Sequence, residues 1–207
     1  MSLTTYRTVR CKMNTPTHMI IGGALWAWRD KPGTLVAALA GGFAPDLSML
    51  VMVLYATRIV GLSEHEVFGT LYFSDNWQRL FAIDHSFAVW SVLLLAALLM
   101  RRSMFIAFSG AGLTHAAVDF LTHHSDARQQ FWPFTDWVFR SPVSYWDPLF
   151  WGNVVAPFEA LVVVALTALI LRRMSDWRQR FLTVLVALVY LAPIALTGGF
   201  HGLHGSG

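Results

Sequence analysis

The sequence is poor in cysteine and in charged residues, and each shortage excludes a class of protein. Cys11 is the only cysteine among 207 residues, so an intrachain disulfide, a cysteine-based zinc site and a CxxC redox pair are all excluded. Charged residues make up 13% of the chain, whereas soluble domains carry about 25%. Because 56% of the residues are hydrophobic, the composition predicts a single membrane domain over residues 1–207.

Basic residues lie in short groups at the ends of apolar runs. The groups are Arg7, Arg10 and Lys12; Arg29 and Lys31; Arg101 and Arg102; and Arg172, Arg173, Arg178 and Arg180. This distribution is typical of the cytoplasmic flanks of transmembrane helices, whereas a nucleic-acid-binding face would interleave its charges with polar residues. The net charge of +3 therefore indicates membrane topology, and we expect no nucleic-acid partner.

Five apolar segments are long enough to cross a membrane, for which about 20 residues are needed. They cover residues 34–60, 85–100, 104–122, 154–171 and 181–197. A shorter stretch at 18–28 predicts a short N-terminal helix that is either a tilted span or lies in the interface. Gly41, Gly42 and Pro45 predict a break in the first span, since proline removes a backbone donor. The predicted fold is all-α, with about five transmembrane helices plus the short N-terminal helix.

The basic groups also predict how the spans are oriented. Residues 101–102 and 172–180 are expected on the cytoplasmic side, which puts residues 61–84 and 123–153 on the opposite side. The loop at 123–153 is rich in aromatic residues, which favour the headgroup level of a membrane, so we expect it to rest on membrane lipids.

The two ends of the chain are predicted to lie outside the folded domain. Residues 1–16 look like an N-terminal extension, with Met13 as an alternative start to Met1. No compact apolar core with a small-residue cleavage site follows the basic N-terminus, so we expect no cleavable signal peptide. The Gly-rich tail at 198–207 is expected to be flexible.

The third span carries the clearest chemical pattern. His115, Asp119 and His123 are spaced i, i+4 and i+8, which places their side chains on one face of a helix. His115 and Asp119 can therefore approach one metal ion together. The alternative is hydrogen bonding between helices, worth about 0.6 kcal/mol per contact. A carboxylate at membrane depth needs a partner in either case.

Two more ionisable residues lie at helix breaks or ends. Asp46 follows Pro45 and is either a metal ligand or an N-cap for a restarting helix. His85 begins the second span and is either a ligand or a general base, while Asp84 or Ser86 caps that helix. The predicted orientation puts His85 on the membrane side where the third span ends.

The order of these motifs resembles a known family. The sequence contains Thr17-His18-x-x-x-Gly22, Pro45-Asp46, Asp84-His85-Ser86, His115-x-x-x-Asp119 and a Trp132-Pro133 loop. Over roughly residues 13–135 it is similar to small inner-membrane metal-dependent hydrolases, the LexA-binding, inner-membrane-associated hydrolase-like group. The His-x-x-x-Asp set is more remotely similar to zinc-dependent phospholipase C and related single-strand nucleases.

The resemblance implies a multi-pass protein of a bacterial-type inner membrane with a metal centre of histidine and aspartate. It also adds His18 to the candidates. Two departures concern the ligand count. Residues 47–49 are Leu-Ser-Met where the family usually has a further aspartate, and residues 81–83 are Phe-Ala-Ile where it often has an extra histidine or arginine.

These observations together predict a metal site at the non-cytoplasmic ends of the helices. The expected ligands are His18, Asp46, His85, His115 and Asp119. Zinc suits a histidine and carboxylate set, with manganese or iron as alternatives.

The expected function is hydrolysis of a phosphoester or a lipid head group by metal-activated water. Asp84 or His124 is the expected catalytic base. The alternatives are a non-enzymatic metal or proton carrier, and a structural membrane protein whose polar groups only pair with each other.

Overall fold

The computed structural model describes residues 14–196, and within that range the chain is helical with no β-strand. This confirms the all-α prediction. The predicted flexible tail and all but three residues of the predicted N-terminal extension lie outside the described residues. The helices are α1 (Thr15–Trp26), α2 (Thr34–Leu54), α3 (Glu64–Gly69), α4 (Asp75–Asp84), α5 (Phe87–Leu99), α6 (Ser103–Thr122), α7 (Gly152–Arg173) and α8 (Trp177–Leu196).

Five helical segments among the described residues are long and apolar enough to cross a membrane, as predicted for a multi-pass membrane protein. They are Thr34–Ile59, Asp75–Leu99, Ser103–Thr122, Gly152–Arg173 and Trp177–Leu196. The first joins α2 to a π-helical turn at Tyr55–Ile59. The second joins α4 to α5 and begins ten residues before the predicted start at residue 85.

The predicted break in the first span is wrong, because α2 runs through Pro45 to Leu54 without interruption. A proline within a helix removes one backbone hydrogen bond. Neighbouring helices can satisfy backbone groups freed in this way. In this region the carbonyl of Gly42 accepts a hydrogen bond from Nδ1 of His115 on α6, at 2.7 Å. Pro45 leaves the carbonyl of Gly41 without its helical donor, whereas this contact uses the carbonyl of Gly42 and ties α2 to α6 beside the proline.

The glycines of α2 allow close packing of three helices. A Cβ atom on Gly41 would collide with the backbone of Phe108 in α6, and one on Gly42 would collide with the backbone of His18 in α1. Small residues let helix backbones approach closely in membranes. As a result, α1, α2 and α6 form the centre of the fold and their polar side chains are brought together.

The three basic groups within the described residues, at 29–31, 101–102 and 172–180, gather at one end of the helical bundle. The guanidinium of Arg173 donates a 2.8 Å hydrogen bond to the carbonyl of Ala24 near the end of α1. Gly33, just before α2, lies against the side chain of Met104 at the start of α6. The loops after α1, α5 and α7 therefore share this end, and the long loop between α6 and α7 covers the other.

Candidate metal centre

Six ionisable side chains from different parts of the chain meet in the interior, and we call them the His/Asp cluster. Each is at most 6% exposed. α6 supplies three of them from its second half and its end, α1 and α2 supply one each, and the junction of α4 and α5 supplies one. The members of the cluster are His18, Asp46, His85, His115, Asp119 and His123.

The cluster lies in the half of the bundle away from the basic loops. Asp46 and His115 are each twelve residues past the start of their helices, which places both about 18 Å along the helix axis at 1.5 Å per residue. The end of α6 and the long loop after it close the cluster on the other side.

Four atoms of the cluster have the spacing of ligands around a single ion. Oδ2 of Asp119 is 3.2 Å from Nε2 of His85 and 3.3 Å from Nε2 of His115. Oδ1 of Asp46 is 3.7 Å from each of the same two nitrogens. Ligand atoms arranged tetrahedrally around zinc at its usual bond lengths lie about 3.4 Å apart. These buried groups can therefore hold a metal ion.

The backbone contacts of His85 and His115 determine which ring nitrogen is free. Nδ1 of His115 is 2.7 Å from the Gly42 carbonyl, and Nδ1 of His85 is 3.0 Å from the Phe81 carbonyl. A carbonyl only accepts, so Nδ1 carries the hydrogen in both rings and a neutral ring keeps its lone pair on Nε2. This second-sphere hydrogen bond is typical of metal-binding histidines.

Those free Nε2 atoms face carboxylate oxygens, which are also acceptors. Among the described residues, neither Nε2 atom of His85 and His115 has a hydrogen-bond partner. Without an added cation, neutral rings would oppose their Nε2 lone pairs to the carboxylate oxygens, which is costly for buried polar groups. A divalent cation between the nitrogens and the carboxylates removes this conflict.

The carboxylate ligands are held from outside the cluster or shared within it. The hydroxyl of Thr15, at the start of α1, donates a 2.5 Å hydrogen bond to Oδ2 of Asp46. The other oxygen of Asp119, Oδ1, is 3.0 Å from Nε2 of His18 and 3.2 Å from Nε2 of His123. Asp119 therefore contacts histidines on both sides of its carboxylate.

His123 lies just beyond α6 between two carboxylates. Its Nδ1 is 3.0 Å from Oδ2 of Asp126. Burial by itself would lower the pKa of His123, but the charges of Asp119 and Asp126 raise that pKa to about 10. This part of the cluster therefore attracts positive charge.

A small cavity adjoins the His18 and His123 side of the cluster. Its remaining wall includes Asn14, Tyr72, Arg128 and Tyr145. Arg128 is 2% exposed. Its Nη2 donates a 2.5 Å hydrogen bond to the hydroxyl of Tyr72, whereas Nε and Nη1 have no hydrogen-bond partner among the described residues. The cavity thus combines a buried cation with free donors next to the cluster.

The structure brings together all five predicted metal ligands but places the two predicted catalytic residues elsewhere. The carboxylate of Asp84 accepts a hydrogen bond from Ser48. His124 stacks on Phe150 with 3.4 Å between ring centroids, and its Nδ1 donates to the Ser141 carbonyl. Neither residue lines the cavity beside the cluster.

Several residues at the site were not assigned a role from the sequence. The spacing puts His123 on the helix face of His115 and Asp119 but assigns it no role, and Asp126 lies in the loop that follows, where no periodicity predicts the direction of a side chain. Arg128 carries no sequence signal, because a lone arginine in a polar loop is usually solvated. Tyr72 comes from a distant segment, and only the tertiary structure shows that it lies beside Arg128.

Comparison with known proteins adds no further constraint. No family model, no curated protein and no solved structure matches the chain. The functional conclusions therefore rest on the side chains of the cluster and its cavity.

Proposed function

We propose that the protein is a metal-dependent hydrolase of a bacterial-type inner membrane, and that it cleaves a phosphoester, such as a lipid head group, with zinc as its ion. The main support is the cluster itself. Each of two imidazole nitrogens lies 3.2–3.7 Å from each of two carboxylate oxygens, and the nitrogens have no hydrogen-bond partner among the described residues. Manganese and iron remain alternatives to zinc, because histidine and carboxylate ligands suit all three.

The wall of the cavity supports a phosphoester as the substrate class. Arg128 presents two N–H groups without partners, and a guanidinium pairs with phosphate oxygens through strong charge-assisted hydrogen bonds. The adjoining long loop exposes large apolar side chains at Phe134, Trp137, Leu149 and Trp151. Such residues, the tryptophan especially, favour the membrane interface. The charge on the cavity wall and the apolar surroundings therefore both favour a phosphate group at headgroup depth.

The chemistry needs little from the protein beyond binding and orientation. A divalent ion held by the cluster supplies a Lewis acid and lowers the pKa of water toward 7. Asp46, His85, His115 and Asp119 hold the ion, and Arg128 orients the phosphate. In hydrolysis the water oxygen forms a bond to phosphorus, the ester P–O bond breaks, and the departing alcohol oxygen takes up the proton.

A metal or proton carrier is the rival function. A carrier would need ionisable groups distributed through the full membrane depth. The stretches that lead from the basic end to the cluster, residues 34–45 of α2 and 103–114 of α6, contain no ionisable side chain. Ions or protons therefore have no relay along these helices, which favours a site that is open from one side.

The test is hydrolysis by the purified protein in detergent or lipid, with zinc or manganese, against generic phosphodiesters and phospholipid vesicles. Asp119→Asn should lose bound metal and turnover together, because Asp119 contacts four histidines of the cluster. His65→Gln is the matched control, since His65 is exposed on α3. Metal-loaded protein with no turnover on any substrate would favour the carrier. Turnover unchanged in Asp119→Asn would assign the activity to another site.

A further inference from the structure

We propose that the cluster holds two cations that share Asp119 as a bridging carboxylate. The first lies between Asp46, His85, His115 and Oδ2 of Asp119, and it is the ion on which the proposed function rests. The second lies between His18, His123 and Oδ1 of Asp119. The second ion extends the proposed function, because all three of its ligands, His18, Asp119 and His123, line the substrate cavity.

The two oxygens of Asp119 face different pairs of histidines. Oδ2 lies 3.2 and 3.3 Å from Nε2 of His85 and His115. Oδ1 lies 3.0 and 3.2 Å from Nε2 of His18 and His123. Each oxygen of Asp119 therefore has two imidazole nitrogens within 3.3 Å. A carboxylate that uses one oxygen for each ion is a natural bridge for two-metal sites, in which the ions are about 3.5–4 Å apart.

The atoms proposed to bind the second ion lie close together, and one of them lacks a hydrogen bond. Oδ1 of Asp119 is buried and has no hydrogen-bond partner among the described residues, although His18 and His123 have nitrogens at hydrogen-bond distance. The atoms are close, but the N–H directions do not align with the oxygen. A buried carboxylate oxygen without a partner costs about 1–3 kcal/mol or more. A cation between the three atoms satisfies them without requiring that alignment.

The surroundings of His123 fit a metal ligand. Nδ1 of His123 lies 3.0 Å from Oδ2 of Asp126, and the same oxygen accepts a 3.1 Å hydrogen bond from Nε1 of Trp146. A carboxylate beside the far nitrogen of a histidine is common behind metal ligands, where it fixes the ring and raises its basicity. Nδ1 of His123 forms no hydrogen bond among the described residues, so Asp126 acts on the ring through its charge, beside the nitrogen that faces away from Asp119.

The ligand counts distinguish the two positions. The second has three side-chain ligands, as catalytic zinc sites have, and so keeps a coordination position open, whereas the first has four and admits water by expanding to five-coordinate. The ring of His18 stacks on that of His115 with 3.8 Å between centroids, so the positions are adjacent. The second borders the cavity with Asn14, Arg128 and Tyr145. Its open coordination position therefore points toward the phosphate site.

Metal content per chain tests the second ion. Full-length protein loaded with manganese should bind two ions, with spin coupling between them visible by electron paramagnetic resonance. His123→Gln and His18→Gln should each bind one uncoupled ion, and His85→Gln should also lose the coupling. His65→Gln should keep both ions. Gel filtration and circular dichroism identify any variant that fails to fold. If either His18→Gln or His123→Gln fails, the metal content of the other variant tests the second ion.

The outcomes separate this inference from the proposed function. If the wild type binds one ion and His123→Gln still binds it, the proposal of a second ion is wrong and the hydrolase proposal stands. No ion in the wild type would overturn both. Two coupled ions in a protein without turnover would support the second ion and contradict the hydrolase.

Discussion

Arg128→Met separates a role in substrate binding from a role in stability. The change removes a buried guanidinium whose Nη2 donates to Tyr72 and whose Nε and Nη1 have no hydrogen-bond partner among the described residues. The guanidinium also lies over the rings of Tyr72 and Phe81, 5.0 and 4.7 Å from their centroids. Methionine keeps similar bulk and flexibility but offers no donor and no charge.

The expected effects have opposite signs in stability and nearly cancel. The lost hydrogen bond to a charged group is worth about 1.5–3 kcal/mol, and cation–π contact in a desolvated place adds about 2 kcal/mol. Against this, two buried donors without partners each cost about 1–3 kcal/mol. The free energy of unfolding should therefore change by no more than about 3 kcal/mol. Phosphate binding should lose the full charge-assisted contact, which corresponds to about 10- to 150-fold in affinity.

Thermal unfolding in detergent measures the change in stability. Calorimetric titration of inorganic phosphate into the metal-loaded protein measures the change in phosphate affinity. Arg140→Met is the control, because Arg140 is an exposed arginine of the same loop. Phosphate affinity unchanged in Arg128→Met would refute the assignment of the cavity as an anion site. A large loss of stability would show that Arg128 serves the fold instead.

Three further predictions concern packing, the catalytic candidates and topology. Gly41→Ala should destabilise the fold by about 1–3 kcal/mol, because the added Cβ would meet the backbone of Phe108. Gly69→Ala is the control, since its added Cβ makes only ordinary contacts, and the thermal unfolding midpoint of this variant should equal that of the wild type. His124→Gln should keep its full metal content by elemental analysis, and a loss of metal would place His124 in the cluster. In a cysteine-free background, a single cysteine at position Phe134 should react with an impermeant label from the non-cytoplasmic side, and labelling from the cytoplasm alone would reverse the topology.

The fold could be predicted from the sequence because the patterns that define transmembrane helices are local. Each span is an apolar run of about membrane thickness, and its helix bounds follow from where the run stops. The break expected at Pro45 failed because the outcome depended on tertiary contacts. In the sequence alone, Gly41 and Gly42 predict a helix break. In the fold, Gly41 packs closely against α6 and Gly42 against α1.

The candidate ligands were accessible to sequence reasoning for a similar reason. A histidine or aspartate within an apolar run is costly unless it has a partner, so His115 and Asp119 stand out without any structure. The rest of the site depends on a long loop that folds over the helix ends. Arg128 and Tyr72 are 56 residues apart in sequence and share a hydrogen bond, and no periodic pattern predicts such a pair.

The central claim is that a divalent metal ion is bound by imidazole nitrogens and carboxylate oxygens of this cluster. X-ray absorption at the edge of zinc bound to the purified protein tests it most directly. We predict nitrogen and oxygen neighbours at about 2.0–2.2 Å, with outer-shell scattering from at least two imidazole rings that weakens in His85→Gln. Bound zinc without imidazole scattering, or a spectrum identical in wild type and His85→Gln, would contradict the claim.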